Sequence, residues 1–168
     1  MNKLTKTINV KDVIDEDFIN YKKPNMFVAT STCTFKCEKE DCNVHCQNSK
    51  IVKQKTIKEN INKLIKRYLK NDITSAIVFG GLEPLDQCNE LISFIIAFRQ
   101  YSDDDIVIYT GYNEVEVYDK INNILDVNNH KGKIIIKYGR FKSNSSKRYD
   151  NILGIELASS NQYAISYD

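Results

Sequence analysis

Met26-Phe27-Val28-Ala29-Thr30-Ser31-Thr32-Cys33-Thr34-Phe35-Lys36-Cys37 is the stretch on which the fold turns. A short apolar run, of a length suited to a strand buried on both faces, leads straight into a cysteine loop. Cys42 and Cys46-Gln47-Asn48 follow. Four cysteines thus fall within fourteen residues, and a fifth, Cys88, stands apart. The N-terminus has no continuous apolar run of the kind a signal peptide carries, so a cytoplasmic, reducing setting is expected. There, clustered thiols favour metal or redox chemistry over structural disulfides. Soft thiolates select zinc or an iron–sulfur cluster over hard cations. A zinc clip by Cys33, Cys37, Cys42 and Cys46, with His45 as a substitute, remains open on spacing.

Downstream, strand and helix patterns alternate. Ile57, Ile61, Leu64, Ile65 and Tyr68 recur at helical spacing, with Thr56 as the expected cap. Ile73 to Phe79 reads as the second strand, ending at Gly80-Gly81. Asp86 is the expected N-cap of a helix that turns Leu91, Ile92, Ile95 and Phe98 inward. Ile106 to Thr110 forms a third strand. Asn113 and Glu116 suit a capping box for a helix burying Val117, Tyr118, Ile121 and Leu125. Lys133 to Tyr138 makes a fourth strand. Short strands are expected over 153–158 and 162–165, after a mobile polar loop at 142–151. This order predicts an α/β fold with a mostly parallel sheet and right-handed crossovers. One domain over 1–168 is expected, with an irregular N-terminal approach (1–25) and a less regular C-terminal segment (142–168).

In such a sheet, ligands lie beyond the carboxyl ends of the strands. The cysteine loop, Gly80-Gly81-Leu82-Glu83-Pro84, Thr110-Gly111-Tyr112 and Gly139-Arg140-Phe141 all fall there. Lys plus Arg exceeds Asp plus Glu by only two, which argues against a nucleic-acid partner. No stretch nears the roughly 18 apolar residues of a membrane span. Eight basic residues over 50–70 against the single acid Glu59 read as a solvated face or as a docking surface for an acidic partner.

Cys33-Thr34-Phe35-Lys36-Cys37 with Cys46-Gln47-Asn48 resembles the radical S-adenosylmethionine superfamily, whose motif has three residues between its first two cysteines. The closing Cys-x-Asn is similar to that of its glycyl-radical activases, especially the activase of anaerobic ribonucleoside-triphosphate reductase. The eight residues between Cys37 and Cys46 depart from the usual two, and Leu82 is an extra residue within the glycine-glycine-acid-proline segment. The resemblance extends to Tyr109-Thr110-Gly111-Tyr112, Gly139-Arg140-Phe141 and Ser159-Ser160-Asn161-Gln162.

That resemblance implies a short, incomplete (β/α) barrel with a curved sheet. It implies a [4Fe-4S] cluster on Cys33, Cys37 and Cys46, with Cys42 in an insertion or, in a second register, as the third ligand. S-adenosyl-L-methionine is the implied cofactor, touching His45, Asn48, Gly80, Gly81, Glu83, Thr110, Gly111 and Arg140. Glu83 is expected to accept from its ammonium group, and the two glycines to admit it close to the backbone. The implied reaction makes a 5′-deoxyadenosyl radical that takes hydrogen from a glycine Cα. The implied partners are a glycyl-radical enzyme, namely anaerobic ribonucleotide reductase, and a one-electron donor such as a flavodoxin or ferredoxin. A deazapurine-forming type of radical enzyme, a zinc-stabilised binding module and a family member that keeps its cluster without catalysis are the alternatives. Cys88 is expected to be a buried apolar filler.

Overall fold

A computed structural model describes residues 4–40 and 45–168. Cys42 lies outside the described residues. The elements run β1 (Thr7–Asp17), β2 (Asn25–Thr30), α1 (Lys36–Glu40), α2 (Ser49–Val52), β3 (Ile57–Asn60), α3 (Ile61–Leu69) and β4 (Ala76–Gly81). A 3₁₀ turn (Pro84–Gln87) precedes α4 (Cys88–Phe98), β5 (Asp105–Tyr109), α5 (Glu114–Asn128) and β6 (Ile134–Tyr138). β7 (Arg148–Asp150), β8 (Ile155–Leu157) and β9 (Tyr163–Tyr167) complete the chain.

A seven-stranded sheet has the order β3-β1-β2-β4-β5-β6-β9. Its centre, β2-β4-β5-β6, is parallel, as the alternating pattern predicts. Each step moves one place in the same direction, so the helices gather on one face. Leu64 of α3, Phe94 of α4 and Ile121 of α5 share a core with Ile77, Phe79, Ile108 and Ile136. The other face holds Ala76, Val78, Val107 and Ile135 under Tyr21, Leu153 and Leu157. One-sided helices are the arrangement of a barrel wall, yet the pairing runs from β3 to β9 without closing.

The flanks depart from the sequence reading. The N-terminal approach is β1, antiparallel to β2 and to β3. Register shifts between Val10 and Asp12, and again between Ile14 and Asp17, break the period-2 alternation that would have marked it as a strand. Ile57 belongs to β3 and is 46% exposed, not on the helix face. Pairing with β1 takes residues 57–60 out of the helix, and Asn60 caps α3 by accepting from the Lys63 N–H at 3.1 Å. Thr56 is therefore not the cap. Asp86 does not cap α4 either; Gln87 holds that position and the Asp86 carboxylate faces the cysteine loop. Tyr118 is exposed, and Ile124 takes the inward place. The 142–151 segment contains β7, which pairs with β8. Of residues 162–165, the last three begin β9, antiparallel to β6, and Gln162 stands just before it.

Candidate iron–sulfur site

The parallel strands end side by side, with Thr30 opposite Gly81 and Tyr109 opposite Lys137. Their ends face a cavity of about 130 Å³. Cys33, Cys37 and Cys46 line it together, all half-buried and none disulfide-bonded. His45 and Asn48 border it from the cysteine loop, with Gly81 at the end of β4, Glu83 just beyond it, and Thr110 and Gly111 just beyond β5. Gly80 and Arg140 do not line this cavity.

The loop is held by backbone and acid contacts. The Glu83 N–H donates to the Thr32 carbonyl at 2.7 Å, which fastens the loop to the end of β4. Asp86 accepts from the Thr34 N–H at 3.0 Å and from the Tyr112 hydroxyl at 2.7 Å. Glu38 accepts from the Cys46 N–H at 2.7 Å, which links the third cysteine to the helix that carries the second. The Asn48 side-chain amide donates to the Gly81 carbonyl. Burial, opposed by the Phe35 N–H, pushes the Cys33 thiol up to about 11. Burial also raises the Cys46 thiol. Coordination to a metal reverses this, because a ligating thiol is deprotonated.

The glycine pair divides its work. Gly81 has φ +82, and a Cβ there would come within 2.9 Å of the Ala29 backbone, so the chain can take this path beside the cavity only without a side chain. A Cβ on Gly80 would meet the Phe27 ring at 2.9 Å. The close neighbour of Gly80 is thus a side-chain ring, whereas that of Gly81 is backbone.

Glu83 is the acid of the segment and is 5% exposed. Its carboxylate accepts from Gly111 N–H at 2.8 Å and Leu85 N–H at 3.1 Å. Desolvation nevertheless dominates and lifts it to about 7. This dry carboxyl shares the cavity with the three thiols. Thr110 is buried, and its hydroxyl accepts from the Tyr112 N–H. Arg140 turns away from the cavity toward Glu116 and Glu40. His45 is exposed at the rim.

Lys137 was not singled out by sequence reading. It lies on β6, 7% exposed, and its ammonium donates to the Gly139 carbonyl at 3.2 Å inside the same cavity. Burial lowers it to about 8, against the pull of Glu83. Its signal in the sequence was a lone charge within the apolar run Ile134-Ile135-Ile136-Lys137-Tyr138. Gln162 also lines the cavity and donates to the Gly139 carbonyl, which gives the Ser-Ser-Asn-Gln segment a place in the wall. Cys88 is half-buried against the helix-side core.

Among the described residues, no three His, Cys, Asp or Glu side chains converge closely enough to hold a single metal ion. A tetrahedral zinc site draws its ligands to one point. Thiolates on an iron–sulfur cluster bind different irons at the corners of a cuboid, so they stand apart around a body. Cys33, Cys37 and Cys46 supply, at one cavity, the soft thiolate donors that an iron–sulfur cluster takes. Among the described residues, no helix is long and apolar enough to cross a membrane. The chain matches no curated protein and no solved structure. Residues 24–164 match a family model, the 4Fe-4S single cluster domain. That span runs from the start of the first parallel strand into β9 and takes in the whole cavity wall, so the chain belongs to the 4Fe-4S single cluster domain family.

Proposed function

We propose that this chain is a radical S-adenosylmethionine activase that installs a glycyl radical on a partner enzyme, the partner being anaerobic ribonucleotide reductase. One observation carries the reading. The three cysteines of the Cys-x3-Cys pattern and its following Cys-x-Asn open onto the same cavity as Gly81 and Glu83 of the glycine-glycine-acid-proline segment. Both segments follow the carboxyl ends of the neighbouring parallel strands β2 and β4, which brings the thiols and the buried acid to one cavity.

Cys33, Cys37 and Cys46 would hold the cluster, leaving one iron without a protein ligand. With S-adenosylmethionine bound, the cluster would supply the electron, drawn from a flavodoxin- or ferredoxin-like donor, that cleaves the cofactor to methionine and a 5′-deoxyadenosyl radical able to take hydrogen from a glycine Cα. The protein contributes binding and exclusion. Glu83 accepts the methionyl ammonium, a charge-assisted bond strengthened by burial. Lys137 supplies a buried positive charge in the same cavity, suited to a carboxylate. His45 offers a ring at the rim for the adenine. Tyr109 and Phe141 add aromatic surface to the cavity wall.

The test is anaerobic reconstitution with iron and sulfide, followed by low-temperature electron paramagnetic resonance of the reduced protein. A [4Fe-4S]⁺ signal that shifts on adding S-adenosylmethionine, with 5′-deoxyadenosine released, is expected. Alanine at Cys33, Cys37 or Cys46 should abolish the signal, whereas alanine at Cys42 or Cys88 should keep it. A cluster indifferent to the cofactor would reject the radical reading and leave the iron–sulfur family intact.

A further inference from the structure

α1 carries Cys37 but has five residues and no buried side chain. A helix that short does not persist by itself, and apolar packing does not hold it. Its two ends are gripped instead by one ion pair. Arg140 donates to both oxygens of Glu116, at 2.8 and 2.7 Å. Lys36, just before Cys37, lies 3.2 Å from the same Glu116. Glu40, three residues after Cys37, lies 3.0 Å from the Arg140 Nε, in an ion pair without hydrogen-bond alignment.

The anchor itself is rigid. Glu116 accepts from the Asn113 N–H in the capping box of α5. The Arg140 carbonyl accepts from the Asn161 side chain at 2.9 Å, and the Arg140 side chain is 10% exposed. Arg140 sits behind Cys37, in a small pocket beside Cys33 and Tyr112, outside the cavity that the three cysteines share.

We propose that Arg140 is a positioning residue for Cys37, acting through Glu116, Lys36 and Glu40 to hold α1 where its thiol faces the cavity. This replaces the cofactor contact that the family resemblance implies for Arg140. It rests on the cluster family and stands whether or not the radical reading holds.

The test uses the metal-free full-length chain, alkylated with iodoacetamide, with Cys37 and Cys88 labelling followed separately by peptide mass spectrometry. Cys88, on α4, is remote in sequence from the clamp and reports global opening. Arg140→Gln, which loses the fork on Glu116 and the pair with Glu40, should raise the Cys37 rate relative to Cys88 by at least about tenfold. Arg140→Lys, which keeps the charge but not the fork, should fall between the two. Glu40→Gln removes only the outer contact and should give a smaller rise in the same direction. An unchanged Cys37-to-Cys88 ratio in a folded Arg140→Gln variant would overturn the proposal. If that variant unfolds, both thiols rise together and Glu40→Gln decides: a raised ratio supports the clamp, and an unchanged one overturns it.

Discussion

Glu83 and Lys137 occupy one cavity with opposite charges and opposite responses to burial. Glu83 is raised to about 7, so between its ordinary 4.5 and 7 the native state binds the proton more readily than the unfolded chain. Stability therefore falls as pH rises through that window. Lys137 is lowered to about 8 from 10.5, so the unfolded chain binds more protons there and stability rises with pH from 8 to about 9, above which the raised Cys33 thiol opposes it. Both groups are charged, and both desolvation costs are felt, between about 7 and 8. Urea midpoints of the metal-free chain should pass through a minimum there. Glu83→Gln should remove the acid limb, and Lys137→Met the alkaline limb. A flat profile in the parent chain would show that water or the opposite charge already offsets the burial.

The two glycines at the end of β4 make a second residue-scale contrast. Gly81→Ala places a side chain at φ +82 and against the Ala29 backbone, which cannot retreat. The left-handed conformation alone costs roughly 1–2 kcal/mol. Gly80→Ala meets only the Phe27 ring, which can turn aside. Denaturant unfolding should show the larger loss at Gly81, and cluster loading should fall with it because Gly81 lines the cavity.

At the scale of elements, the start of α3 shows how a local pattern can mislead. Ile57 and Ile61 are spaced as helix neighbours, and Thr56 precedes them as a cap would. The free edge of β1 pairs with residues 57–60 instead, and the helix begins where Asn60 can serve its exposed N–H groups. Asn60→Ala should cost about 1 kcal/mol. Thr56→Ala should stay within about 0.5 kcal/mol, since its residue is exposed and caps nothing. Equal effects in thermal or urea unfolding would contradict this boundary. The capping box at Asn113 and Glu116, by contrast, was legible, because its partners are three residues apart and need no tertiary contact. β1 was not legible as a strand: its bulges disrupt the alternation, and its antiparallel place is set by the partners it finds.

Across the whole molecule, the C-terminal segment does more than its irregular sequence suggests. Leu153 and Leu157 are buried against the sheet face opposite the helices, with Ala164 of β9 beside them. Each buried leucine contributes about 1.5–3 kcal/mol, against a total stability of about 5–15 kcal/mol for a domain. A chain ending at Ser146 would lose both, along with β9 on the edge of β6 and Gln162 from the cavity wall. It should lose cooperative thermal unfolding in circular dichroism. Retention of a sharp transition would show that the parallel core stands without this cover.

The sequence by itself determined the parallel α/β core and the cysteine loop at its carboxyl edge. Those features rest on local periodicity, on short turns and on residue chemistry, all of which are written in consecutive positions. It also marked most of the side chains that meet at the cavity, since the ends of parallel strands fall together once their order is known. The tertiary structure alone decided the antiparallel flanks, the burial of Glu83 and Lys137, and the turn of Arg140 from the cavity to α1. A strand edge, a dry carboxylate or an ion pair exists only when distant segments are brought against each other. Arg140 and Glu116 lie twenty-four residues apart and are joined only where β6 ends beside the start of α5.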